Sequence, residues 1–322
     1  MTYQHGTFDD NQFILAKLPS WVSSSAGETP NNVAFLSGAT FASLDALLTQ
    51  TGSSVPQKLL RNTLAFKAAA STSKLEGRMS READIRDAYH LTPLDREGVR
   101  HWGPDGEVLA FWRDVVRLRL REKSYADQLS HLCSDAEQAG AWLNDAFSEA
   151  ERIGTIPAAV MVMRTVLDWN GRAERLACCL ADIVTARSFA WDDVLPLTAL
   201  HLTKSDLRNL RDGAGGADAR VQLAITKSGQ FAFGVARNLA KQKSALMAVA
   251  PKLRARGSED AIALFLSEDT VSPSGMLSPV IKGSRSEMSA RNARRLCDRL
   301  VELGVVKELT GRPTFRLYGV TP

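Results

Sequence analysis

Residues 289–318 read SARNARRLCDRLVELGVVKELTGRPTFRLY, and this stretch decides the C-terminal fold. Ala293, Leu296, Cys297, Leu300 and Leu303 recur at helical spacing and form one apolar face. The opposite face carries Arg291, Asn292, Arg295 and Arg299, with Arg294 beside them. Gly304 follows the last apolar residue, the place where a glycine ends a helix. The pattern then predicts a strand over 305–309, a turn at Thr310-Gly311-Arg312-Pro313 and a return strand over 314–318. Helix, glycine, strand, basic turn, strand is the order of a winged helix.

The residues upstream complete such a module. A short helix is expected over 258–266, with Ala261, Leu264 and Phe265 inward. Ser272 followed by Pro273 reads as an N-cap with proline at the first helical position, opening a second short helix to about Ile281. Lys282-Gly283-Ser284 is a turn, and the third helix starts at Ser286 or Ser289.

Charge points the same way. The chain has 322 residues and a net charge of +4. Residues 251–322 alone hold twelve Lys/Arg and eight Asp/Glu, so the whole excess sits there. A localised basic surplus is the footprint of a polyanion-binding domain. A helix of this kind fits the major groove of double-stranded DNA, where arginine pairs best with guanine and asparagine with adenine. The expected DNA-binding set is Ser289, Arg291, Asn292, Arg294, Arg295 and Arg299 on the helix, with Arg312 and Arg316 in the wing for phosphates. Solvated arginines on a protein-binding module would give the same pattern.

Outward from this segment, residues 1–39 are rich in Ser, Asn, Gly and Pro and read as an N-terminal arm. Residues 40–250 read as a helical body and 251–322 as the C-terminal domain. Helices are expected from Pro56, from an N-cap at Ser80 through Tyr89, over 107–123, over 125–152, from Ile156 through an almost wholly apolar run, over 172–186 and over 205–211. Residues 212–217 form a glycine-rich loop. Residues 221–226 and 230–233 suggest a short hairpin around Ser228-Gly229, before a helix over 236–250. Trp102, Trp112, Trp142 and Trp191 read as core or interface aromatics. Arg117 opens a basic run to Lys123 that suits a solvated face or a wider DNA footprint.

The composition is that of a soluble protein, 44% apolar and 24% charged. The start has no basic segment followed by an apolar one, which predicts no secretory signal. The longest unbroken apolar run, 158–163, is too short for a membrane span. Cys133, Cys178, Cys179 and Cys297 lack metal or redox spacing, so a reducing cytoplasm is expected. No catalytic triad, zinc pattern or phosphate loop can be assembled, and no resident cofactor is expected.

Two patches in the body carry a resemblance. Arg164-Thr165-Val166-Leu167-Asp168-Trp169-Asn170-Gly171-Arg172-Ala173-Glu174-Arg175 resembles the Fic motif His-Pro-Phe-x-Asp/Glu-Gly-Asn-Gly-Arg-x-x-Arg. Thr72-Ser73-Lys74-Leu75-Glu76-Gly77 resembles the inhibitory Ser/Thr-x-x-x-Glu-Gly of self-restrained Fic proteins, and the stretch 289–318 resembles the C-terminal winged helix that follows many Fic-domain proteins. The chain also resembles an uncharacterised bacterial family that joins a domain of unknown function to a helix-turn-helix.

The Fic resemblance implies a mainly α fold: a helical Fic-like body followed by a winged helix-turn-helix. It gives Asp168 the metal position, Asn170, Gly171 and Arg172 the anion hole, and Arg175 the partnership of the γ-phosphate or of Glu76 beside Gly77. Arg164 stands where the general base belongs, and arginine accepts no proton at neutral pH. Trp169 stands where a glycine lets backbone approach phosphate. A vestigial anion site without AMP transfer is therefore expected, in a DNA-binding transcriptional regulator that leaves room for a homodimer and makes no use of a membrane. A nucleotidyl transferase with an altered site and a protein-interaction module are the alternatives.

Overall fold

The computed structural model describes residues 17–23, 29–49, 54–120, 125–253 and 256–320. Most of the N-terminal arm before Pro30 and the end of the basic run, 121–123, lie outside them. The protein is mainly helical. Its helices are α1 (Ser20–Ser23), α2 (Pro30–Thr49), α3 (Gln57–Leu75), α4 (Glu82–Leu91), α5 (Gly103–Val115), α6 (Ala126–Leu129), α7 (Ala136–Ile153), α8 (Thr155–Trp169), α9 (Glu174–Ser188), α10 (Lys204–Arg211), α11 (Ala217–Val249), α12 (Ser258–Phe265) and α13 (Ala290–Glu302).

The centre of the body is the antiparallel pair α8 and α9, joined by four residues. Both helices are buried over most of their length. The all-round apolar pattern of α8 predicts this, since a helix with no polar face can only sit inside. Alanines at 158, 159, 177 and 181 and the free thiols Cys178 and Cys179 are fully buried there. Trp112 on α5 is fully buried and donates from Nε1 to Thr72 Oγ1 at 3.0 Å, satisfying its one polar atom.

Several expectations are corrected. The hairpin around Ser228-Gly229 does not form: 217–249 is one helix of 33 residues. Its Val, Ile and Thr residues are helical because tertiary packing overrides a weak β preference. Gly229 serves that packing, since a Cβ there would lie 2.9 Å from Thr40 Cγ2 of α2. Helix α2 itself begins at Pro30, inside the expected arm. It is long and apolar enough to cross a membrane by length and composition. Its buried face, including Val33, Leu36, Phe41, Leu44 and Leu47, packs on α11.

The long helices expected over 107–123 and 125–152 are shorter. Helix α5 stops at Val115, and α6 and α7 are separated by a turn and Asp135. The N-cap of α4 is Arg81 rather than Ser80, whose hydroxyl donates to Asp105 Oδ1 at 2.5 Å.

Asp182 on α9 is a charge-bearing group in the core. Its side chain is almost wholly buried, and Oδ1 accepts from Leu197 N, Thr198 N and Thr198 Oγ1 at 3.1, 2.8 and 2.7 Å. Oδ2 has no partner. Burial raises its pKa to about 7 despite those three donors. An unfolded aspartate titrates near 4. The folded state therefore holds a proton that the unfolded chain has released, and stability falls as pH rises from about 4 to 7. Asp182→Asn keeps the acceptor and removes the charge. It is expected to stabilise the protein by about 2–4 kcal/mol at pH 8 and to change little at pH 4. Urea unfolding at the two pH values checks this, and a variant-minus-native difference independent of pH would refute it.

In the C-terminal segment, α12 buries Ala261, Leu264 and Phe265. The second helix is cut short. Ser272 caps through its hydroxyl, accepting from Gly275 N at 3.3 Å, but only a five-residue π-turn follows, Pro273–Leu277. Pro279 has no N–H to continue a helix and biases Ser278 to the extended backbone it adopts. Helix α13 is capped by Ser289, whose hydroxyl accepts from Asn292 N at 3.3 Å.

The two strands among the described residues are short: β1 (Lys307–Glu308) pairs antiparallel with β2 (Tyr318–Gly319). Val271 bridges the far side of Tyr318, donating at 2.7 Å and accepting at 2.9 Å. The residues between are irregular because Glu308 folds back onto the turn, accepting from Thr310 N and Gly311 N at 2.8 Å each. Phe315 also turns the chain away from extension, with φ 54°. The segment meets the body through the buried ion pair of Arg113 with Asp269, through Asn62 Nδ2 donating to Ser267 O at 2.7 Å, and through Arg312 with Asp87 at 2.7 Å.

Candidate nucleic-acid interface and a second cationic cleft

Helix α13 is strongly two-faced. Ala293, Leu296, Cys297 and Leu300 are buried, while Ser289, Arg291, Asn292, Arg294, Arg295 and Arg299 are exposed. Within the set, the arginines differ in what holds them. Arg299 pairs with Glu302 at 2.9 Å, and Arg294 Nε donates to Ala290 O of its own helix at 3.1 Å. Arg291 and Arg295 have no acidic partner among the described residues. They sit one turn apart, and Asn292 is beside the first, so one open helix surface carries two unpaired guanidiniums and an amide.

The turn before β2 is tethered rather than free. Arg312 is held by Asp87 of α4, and Arg316 lies 3.8 Å from Asp298 of α13. Arg316 Nε also donates to Arg312 O at 3.1 Å. A cleft of about 500 Å³ separates this turn from the first turns of α13, lined by Ala290, Arg294, Pro313, Phe315 and Arg316. Phe315 is 74% exposed beside those arginines. Sequence reasoning passed over it as a strand residue; its positive φ turns it outward, and no local signal marks that.

The body patches meet at a second place. Arg175, at the start of α9, forms two parallel hydrogen bonds to Glu76 at the end of α3, Nε to Oε1 at 2.7 Å and Nη2 to Oε2 at 2.8 Å. Such a fork is the strong form of an ion pair. Arg78 joins Glu76 at 3.1 Å, and the Arg175 guanidinium lies 5.2 Å from the Phe111 ring centre. Arg172, Glu174 and Lys204 complete the lining of a cleft of about 490 Å³. Four cations face two carboxylates there. Gly77, at φ 83°, is the turn that lets the chain leave α3 beside Lys204.

The remaining motif residues are elsewhere. Asp168 is exposed on the last turn of α8 and does not line this cleft. The described residues contain no group of three or more His, Cys, Asp or Glu side chains placed to hold a metal ion. The residues present do not fit the metal position that the resemblance gave to Asp168. Asn170 Oδ1 accepts from Arg172 N at 2.9 Å, so one amide of the supposed anion hole is already used. A side chain at Gly171 would collide with the Arg211 guanidinium. Trp169 extends α8 and rests its ring against Trp142, 5.5 Å between centres. Arg164 pairs with Asp218 at the start of α11 and donates from Nε to Leu210 O at 3.3 Å.

A family profile described as "Protein of unknown function (DUF1403)" matches residues 7–320. The chain belongs to the DUF1403 family. The DUF1403 match runs unbroken across the junction near residue 250, so the body and the C-terminal segment are parts of one family unit. No curated protein matches the sequence.

Proposed function

We propose that this DUF1403 protein is a DNA-binding protein, a cytoplasmic transcriptional regulator, whose C-terminal segment works as a winged helix-turn-helix. The observation that carries the reading is the open face of α13, where Arg291 and Arg295 are exposed and form no ion pair among the described residues. Unpaired guanidiniums keep their donors for base edges and phosphates, and an N-terminal helix turn is the part that enters a major groove. The confinement of the chain's positive excess to residues 251–322 supports it. The tether of Arg312 to Asp87 assigns the wing a smaller share, because a phosphate must compete with that carboxylate. A binding screen of genomic duplex fragments tests the proposal. Salt-steep binding is expected, with log K falling by about 0.9 per phosphate neutralised for each unit of log salt. Failure of every fragment to bind at low salt would reject it.

The body is read as a Fic-like scaffold without transferase activity. The Glu76–Arg175 fork supports the scaffold, because it joins the two motif patches across 99 positions of sequence. The pairing of Arg164 with Asp218 supports the loss of chemistry, because no proton acceptor stands at that position. With labelled ATP and Mg²⁺, neither the native protein nor Glu76→Gly is expected to incorporate AMP. Label taken up by Glu76→Gly and lost again with Arg175→Ala would establish a transferase instead.

A further inference from the structure

A third cationic cleft lies where the body meets the C-terminal segment, and it belongs to neither site above. Its volume is about 410 Å³, within the range of small-molecule sites. The body contributes Lys58 of α3, Arg100 of the α4–α5 loop and Arg113 of α5, and the C-terminal segment contributes Lys282. Four of the cations lining it have carboxylate partners: Arg61 with Asp193, Arg113 with Asp269, Arg117 with Asp114 and Lys282 with Glu268. Lys58 and Arg100 have none among the described residues, so the wall carries an uncompensated double positive charge.

Two buried polar atoms in the same wall are also unsatisfied. Arg113 Nη1 and His90 Nε2 have no hydrogen-bond partner among the described residues. Buried polar atoms are rarely left so, because burial without a partner forfeits the hydrogen bond that water would supply. Burial also lowers the His90 pKa to about 4, so the ring is neutral and does not add to the charge. Tyr89, Val116 and Met276 supply an apolar part of the lining. Guanidiniums and two ammoniums beside an apolar part of the wall suit a phosphate attached to a small organic group.

We infer that this junctional cleft binds a small organic phosphate, held between Lys58, Arg100 and Arg113 on the body and Lys282 on the C-terminal segment. The site does not depend on DNA binding and is tested with no DNA present. The probes are inorganic phosphate and phenyl phosphate, compared with sodium chloride at matched ionic strength, on the full chain. At probe concentrations well above Kd, phenyl phosphate is expected to raise Tm by about 2–4 °C, and inorganic phosphate by less. The exposed double variant Lys58→Ala with Arg100→Ala is expected to keep its fold and lose at least half of that rise. Arg78→Ala with Lys204→Ala, in the Glu76 cleft, is expected to keep the rise. No rise in the native protein, an equal rise in the Lys58/Arg100 variant, or a loss confined to the Arg78/Lys204 variant would each overturn the assignment.

Discussion

A protein carrying Arg291→Ala and Arg295→Ala together is expected to lose specific DNA affinity by about 2–6 kcal/mol, roughly 30-fold to 2 × 10⁴-fold. Each arginine that reads a base contributes about 1–3 kcal/mol of discrimination. Neither is engaged by an acid among the described residues, so no intramolecular ion pair is lost with them. Both side chains are exposed, and thermal stability should stay within about 0.5 kcal/mol of native. The two losses add only if the arginines act independently, and their spacing of one helical turn makes the two single variants necessary controls. Affinity for the best duplex from the screen, measured by fluorescence anisotropy at two salt concentrations, reads the effect. An unchanged affinity in a folded double variant would remove α13 as the reading helix. A loss equal on all sequences would make the two arginines phosphate contacts rather than base contacts.

The second large effect concerns the joint between body and C-terminal segment. Asp269→Ala is expected to destabilise the protein by about 3–5 kcal/mol. Arg113 and Asp269 have side chains only 3% and 8% exposed, and they face each other across 156 positions of sequence. Removing the carboxylate leaves a guanidinium buried without its counter-charge, which costs far more than the pair contributes when whole. The double change Arg113→Met with Asp269→Leu removes both charges and should therefore cost less than either single change. Denaturant unfolding of Arg113→Met, Asp269→Leu and the two combined closes the cycle. Additive losses, with the double variant worst of all, would show that the pair acts through packing and not through compensated charge.

Residue patterns made much of this molecule legible. The amphipathic stripe of α13, its Ser289 cap and its terminal Gly304 are local features, written within one stretch of chain. The all-round apolar run of α8 announced burial for the same reason. Where local preference and tertiary packing disagreed, local reading failed. Val221, Ile225, Thr226 and Gly229 resemble a hairpin in isolation, yet they lie on one long helix because α2 needs a close neighbour. The second C-terminal helix starts at the Ser272 cap as expected but ends at Leu277 instead of Ile281, because Pro279 biases Ser278 to extended backbone.

The sites divide in the same manner. Composition and periodicity alone determined that the chain is mainly helical, that its positive excess lies after residue 250 and that one arginine-bearing face opposes an apolar stripe, since each follows from neighbours within a few helical turns. Only the tertiary structure decided which arginines remain unpaired. Arg312 and Arg316 read as free wing cations until Asp87 and Asp298 came within reach, whereas Arg291 and Arg295 kept their open side. The same holds for the Glu76–Arg175 fork and for the cleft between Lys58, Arg100 and Lys282. An ion pair needs charges about 3–4 Å apart, and for residues a hundred positions distant that separation is set by how helices pack, which no local pattern records.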